Sequence, residues 1–148
     1  MNLLFVRHGK DSDQHRGGWS QLDLLPEGKR EAKTLADYLV QHKEDYHFTK
    51  MITSDLKRAE TTATILAETL QLPLEKESSL RETNNGDLAG MLNSGADQKF
   101  PRLYFRSLAM DEHYPNGESP REFYQRIKTW FQRFLQENDD SDETQIVV

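Results

Sequence analysis

Cysteine is absent from this 148-residue chain, which excludes a disulfide framework and any thiolate zinc site. A reducing compartment fits, and the chain is read as soluble and cytoplasmic. No stretch approaches the ~20 apolar residues that a membrane-crossing helix needs. The apolar run near the N-terminus is too short for the core of a signal peptide and lacks a cleavage-like site. Also missing is any stripe of basic residues. Lysine and arginine number 19 against 25 acidic residues, and the net charge of -6 disfavours a nucleic-acid-binding module. An acidic protein can still hold a local cationic pocket, which a small anionic substrate requires. Internal repeats and low-complexity segments are lacking too.

What is present suits one domain, 1–148, with a continuous core. The hydrophobic fraction is 35% and the mean hydropathy -0.84, polar for a globular chain, but the apolar residues are clearly periodic. Leu3-Leu4-Phe5-Val6 reads as a short buried strand. Arg7, His8 and Gly9 follow at its carboxyl end, where open α/β sheets bind ligands. An arginine beside a histidine there suits a phosphate site with a nitrogen nucleophile. Read alone, the tripeptide is equally a surface pair closing a strand.

Lys10 to Leu25 is a polar loop that either wraps a ligand or simply connects. Pro26-Glu27-Gly28 opens a helix whose apolar face is Ala32, Leu35, Ala36, Leu39 and Val40. Met51-Ile52-Thr53 is a second strand, and Ser54 is the expected N-cap of the helix after it. Arg58 falls in that helix's first turn, where a cation opposes the macrodipole and an anionic partner would account for it. The alternative is an arginine facing solvent. Leu72 to Glu75 reads as a third strand, and Ala96 to Met110 as a short helix within an insertion. Ser119-Pro120-Arg121-Glu122 combines a capping box with proline at N1. Phe123, Ile127, Trp130, Phe131, Phe134 and Leu135 form the stripe of the long helix it starts. An acidic linker, Glu137 to Glu143, leads to a further strand from Thr144. Strands alternating with helices imply an α/β three-layer sandwich, with a mainly parallel central sheet and helices on both faces.

Three separated segments, taken in order, resemble the histidine phosphatase superfamily, which includes the phosphoglycerate mutases. They are Leu4 to Gly9, Thr53 to Ala63, and Leu80-Arg81-Glu82 with Gly86 and Gly90. The turn Asn116-Gly117-Glu118-Ser119 is similar too. The resemblance implies two-step phosphoryl transfer through a phosphohistidine, with His8 as nucleophile. It makes Arg7 and Arg58 the holders of the phosphoryl oxygens and Gln14 a further substrate-binding residue. Glu82 becomes the proton donor and then the base for water, its proton kept near neutrality by partial burial. No metal or other cofactor is implied, and His15, His42, His47 and His113 show no metal-ligand spacing.

Some features depart from the family pattern. Lys10 stands where mutases tend to carry an acidic residue, Gln14 where they tend to carry asparagine, and Asp55 replaces a common proline. The first two favour a hydrolase over a mutase. The insertion at about 86–118 looks like the lid of the small-molecule phosphatases. The family's second catalytic histidine normally follows the last core strand, yet the chain ends at Val148. The expectation is therefore a weakly active or inactive chain that is either unstable or buries its open surface against a second copy as a homodimer. The leading reading is a phosphomonoesterase for small phosphorylated metabolites. The alternatives are a catalytically impaired phosphate-binding or interaction module, a protein phosphohistidine phosphatase, and a phosphoglycerate mutase.

Overall fold

The computed structural model describes residues 1–138 and 142–148. Four parallel strands form the sheet in the order β1-β4-β2-β3: β1 Asn2–Phe5, β2 Phe48–Thr53, β3 Leu74–Lys76 and β4 Thr144–Val147. Helices α1 (Pro26–Gln41) and α2 (Lys57–Leu70) link β1 to β2 and β2 to β3. Both crossovers run in the same direction, so the right-handed rule puts both helices on one face. The path from β3 through α4 (Pro120–Glu137) returns to the middle of the sheet and leaves α4 on the other face. That reversal completes the three-layer sandwich read from the alternation of elements.

Side-chain alternation along the strands distributes the core. Met51 and Ile146 point to the α1/α2 layer and pack with Ala32, Ala36, Leu39, Ala63 and Leu66. Their neighbours Ile52 and Val147 point the other way, onto Trp130 and Phe134 of α4. The small alanines let α1 and α2 lie close to each other and to the sheet. β4 is buried at every position because it has strands on both sides and helices on both faces.

Local differences from the sequence reading have local causes. β2 begins at Phe48 rather than Met51, because pairing with β4 recruits the polar Thr49 and Lys50. Ser54 is not the N-cap of α2. Leu56 holds that position, and the Ser54 hydroxyl accepts from the Leu56 N–H one step earlier, at 3.3 Å. The third strand starts at Leu74 because its pairing with Met51 begins there. In the insertion, α3 spans only Asn93–Lys99. Pro101 disfavours helical backbone at Phe100, and Arg102 turns left-handed at φ 61°, so the apolar spacing over 100–108 does not form a helix. Capping of α4 follows the sequence, with Ser119 and Glu122 exchanging hydrogen bonds across Pro120. Of its aromatic stripe, Trp130 and Phe134 are buried, while Phe131 and Leu135 stay exposed. The middle of the acidic linker lies outside the described residues.

Candidate active site

The carboxyl ends of β1, β2 and β4 meet in a cavity of about 200 Å³. Arg7, His8, Ser54, Arg58, Glu82 and Val148 all line it. Residues 50 or more apart in sequence converge here because parallel strands discharge at the same edge of the sheet.

His8 leaves the sheet just after Val6, whose N–H donates to the Val147 carbonyl at 2.8 Å. Its Nδ1 lies 2.8 Å from the Gly9 carbonyl. A carbonyl only accepts, so Nδ1 carries a proton, and in the neutral ring Nε2 keeps its lone pair. That is the tautomer a nitrogen nucleophile needs. Gly9 is buried against the start of α1, and a Cβ built on it would lie 2.3 Å from the Gly28 carbonyl oxygen. Only glycine permits this approach. The Gly9 N–H donates to Thr62 Oγ1 at 3.1 Å, and the same hydroxyl donates to the Arg58 carbonyl at 2.8 Å. Thr62 thus ties the exit of β1 to the turn of α2 that carries Arg58.

Arg58 is 2% exposed, which rejects the solvent-facing alternative. Its Nη2 donates to the Gly18 carbonyl at 2.8 Å and to Glu82 Oε2 at 2.7 Å. Nη1 donates to the carbonyl and hydroxyl of Ser20 at 3.3 and 3.4 Å, and Nε lies 3.7 Å from Asp11 Oδ2. The loop 10–25 therefore wraps the guanidinium. Gly18 presents its carbonyl from a left-handed conformation, φ 57°, with the Asn85 side chain where a Cβ would stand. Arg7 is exposed and lines both this cavity and a neighbouring one that also includes Lys10, Asp11 and Asp13.

Glu82 does not have the partial burial expected of it. Its side chain is 57% exposed and bonded to Arg58. Its backbone, in contrast, is held firmly. The Glu82 carbonyl accepts from Trp19 Nε1 at 2.8 Å and from Arg126 Nη2 at 3.3 Å. Arg126 also donates to the carbonyls of Ser79 and Arg81 and binds both carboxylate oxygens of Glu118. Arg81 is clamped in turn, forked onto Asp55 and stacked 4.6 Å from the Trp19 ring. That fork holds the Asp55 carboxyl below its usual range, with burial opposing.

Gln14 is exposed and is not among the residues lining the cavity; its carbonyl accepts from the Asn93 N–H at 2.8 Å. Lys10 turns to Glu27 at 3.0 Å. His113 pairs with Glu122 on the surface, and His15 hydrogen-bonds to Ser12. Sequence reading missed Asp11, Ser20, Thr62 and Arg126. Thr62 carried a signal, being a polar residue one turn after Arg58 on the buried face of α2. The others act across loops whose path no periodicity records.

The family described as the histidine phosphatase superfamily (branch 1) matches residues 3–148. A 2,3-bisphosphoglycerate-dependent phosphoglycerate mutase of Cytophaga hutchinsonii is 32% identical over 141 residues, covering 90% of this chain and 64% of that protein. The uncharacterized phosphatase PhoE of Bacillus subtilis is 30% identical over 128 residues, 84% of this chain and 60% of its own length. The chain thus spans about three fifths of these curated relatives. A solved mycobacterial glucosyl-3-phosphoglycerate phosphatase superposes with a TM-score of 0.80 at 26% identity, over 99% of this chain and 72% of that one.

Proposed function

Since the chain belongs to the histidine phosphatase superfamily, branch 1, we propose that it hydrolyses phosphomonoesters of small metabolites through a phosphohistidine at His8. The observation that carries this reading is the meeting of His8, Arg7, Arg58 and Glu82 around one cavity, with His8 Nε2 free to attack. Phosphatases among the relatives support hydrolysis, and Lys10 and Gln14, where mutases tend to carry other residues, favour it over the mutase chemistry named for other relatives.

In the first step His8 Nε2 forms a bond to phosphorus as the ester P–O bond breaks. Arg7 and Arg58 stabilise the equatorial oxygens, where phosphoryl transfer gathers its charge. Glu82 gives a proton to the leaving oxygen, releasing the alcohol. The arriving phosphoryl group displaces Glu82 from Arg58 and brings the leaving oxygen to its carboxyl. In the second step water attacks phosphorus, Glu82 takes its proton, and the P–N bond breaks to release inorganic phosphate.

The same proposal treats residues 1–148 as one domain, with the insertion at 86–118 beside the site, working in the cytoplasm. No helix among the described residues is long and apolar enough to cross a membrane. Exposed Phe5, Phe131 and Leu135 support a homodimer, which light scattering reads directly.

The test is release of phosphate from an aryl phosphate at mildly acidic pH, with acid-quenched trapping of label on His8. His8→Ala should abolish both. Turnover that survives this substitution overturns the mechanism.

A further inference from the structure

Ser54, the first residue after β2, lines the same cavity as Arg7, His8, Arg58 and Glu82, yet the phosphoryl-transfer steps leave it unused. It is 4% exposed. Its backbone is fixed: the N–H donates to the Val148 carbonyl at 3.1 Å, and the carbonyl accepts from Thr53 Oγ1 at 3.0 Å. The hydroxyl oxygen accepts from the Leu56 N–H at 3.3 Å, while the hydroxyl proton has no acceptor among the described residues. A hydroxyl is donor and acceptor at once, and the contact with Leu56 accounts only for the acceptor half. A buried donor left unspent is costly, and an acceptor placed in the cavity removes that cost.

Arg58 has little to offer a phosphoryl group by itself. Its Nη1 is held by the carbonyl and hydroxyl of Ser20, one N–H of Nη2 by the Gly18 carbonyl, and Nε faces Asp11 at 3.7 Å. The bond to exposed Glu82 is the one a substrate can displace, and losing it frees a single N–H of Nη2. Arg7 adds its fork from the exposed side. Three terminal oxygens carry more lone pairs than these N–H groups fill, and a donor on the buried wall completes them. Ser54 is on that wall. The Leu56 N–H behind its oxygen polarises the O–H, so each hydrogen bond strengthens the other. A hydroxyl also supplies the donor without placing a third cation beside two arginines.

Resting on the hydrolase reading, we infer that Ser54 is a third holder of the phosphoryl group, its O–H donating to a terminal oxygen in the bound substrate, the phosphohistidine and the product. The proton stays on Ser54 throughout. The contact is with the group being transferred and not with the leaving alcohol, so it serves every phosphomonoester alike.

Inorganic phosphate is the probe. Ser54→Ala should weaken its calorimetric affinity about tenfold and lower kcat/KM by a similar factor for aryl and alkyl phosphates alike. A hydroxyl that serves only the start of α2 would instead lower the melting temperature and leave phosphate affinity as it was. The chain has no cysteine, so Ser54→Cys carries a single thiol of nearly the same size, which covers the case in which Ser54→Ala fails to fold. Saturating phosphate at constant ionic strength should slow alkylation of that thiol by iodoacetamide severalfold. Unchanged phosphate affinity in Ser54→Ala, or a thiol that phosphate does not protect, overturns the inference. Weakened affinity and a protected thiol, in a protein whose wild type hydrolyses no ester, support the contact and overturn the hydrolase reading instead. Phosphate that fails to bind the wild type overturns both.

Discussion

Arg58 Nη2 and Glu82 Oε2 lie 2.7 Å apart, so the proposed phosphate holder and the proposed proton donor are bonded to each other in the free protein. The carboxylate occupies a position on the guanidinium that a phosphoryl oxygen needs. Substrate must displace it, and the displaced carboxyl then faces the leaving oxygen. Glu82→Gln separates the two roles. The amide holds Arg58 more weakly, so inorganic phosphate should bind severalfold more tightly by calorimetry. Turnover should fall by about 10²–10⁴, the usual worth of a general acid. Weaker phosphate binding in this variant would mean that Glu82 holds Arg58 in shape rather than competing for it.

Arg126 reaches from α4 to the carbonyls of Ser79, Arg81 and Glu82 and forks onto Glu118. Arg126→Met removes the donors and leaves the Glu118 carboxylate, 13% exposed, with the Asn84 N–H but no cation. A loss of about 2–4 kcal/mol in urea unfolding is expected. Among molecules that remain folded, kcat should fall more than KM changes, because the segment that loosens carries the proposed proton donor and not the proposed phosphate holders. Arg126→Lys should restore part of the stability and little of the fork.

Much of this arrangement could be read from the sequence because it rests on local rules. His8 and Gly9 follow an apolar run, Arg58 sits against the macrodipole of its own helix, and Ser119 to Glu122 spell a cap. The placement of β4 between β1 and β2 has no local signal, since strand order depends on the direction of crossovers rather than on composition. Glu82 was legible in identity but not in environment. Its neighbours Trp19 and Arg126 lie 63 and 44 residues away, and whether a carboxyl is buried or exposed depends on such contacts. Gln14 shows the opposite failure, because a motif position fixed the residue without fixing where its side chain goes.

Asp55 and Arg81 supply a pH dependence whose sign follows from one group. The fork from Arg81 lowers the folded Asp55 below its ordinary 3.8, with burial opposing. A depressed carboxyl contributes stability that is fully present above the unfolded value and is lost as pH falls through the folded one. Urea midpoints measured from about pH 5 to 3 should therefore fall for the wild type. Asp55→Asn should be less stable at neutral pH and show a shallower acid limb. Parallel limbs in the two proteins would place the acid sensitivity on other carboxyls.

Thr62 provides the sharpest test of how the proposed nucleophile is positioned. Its hydroxyl accepts from the Gly9 N–H at 3.1 Å and donates to the Arg58 carbonyl at 2.8 Å, and the residue is almost fully buried. Thr62→Val keeps the shape and removes both bonds, leaving a buried N–H next to His8 without an acceptor, at about 1–3 kcal/mol. Gly9 also supplies the carbonyl that fixes the His8 tautomer, so a rotation of that peptide moves the nucleophile as well as the backbone. Thr62→Val should then lose turnover well below its melting temperature, where a stability deficit alone has no effect. Thr62→Ser keeps the hydroxyl and drops only a methyl group, so it should keep most of its kcat despite a smaller loss of stability from the cavity. If valine and serine lose turnover equally at matched folded fraction, the methyl contact positions His8 and the hydrogen bond does not.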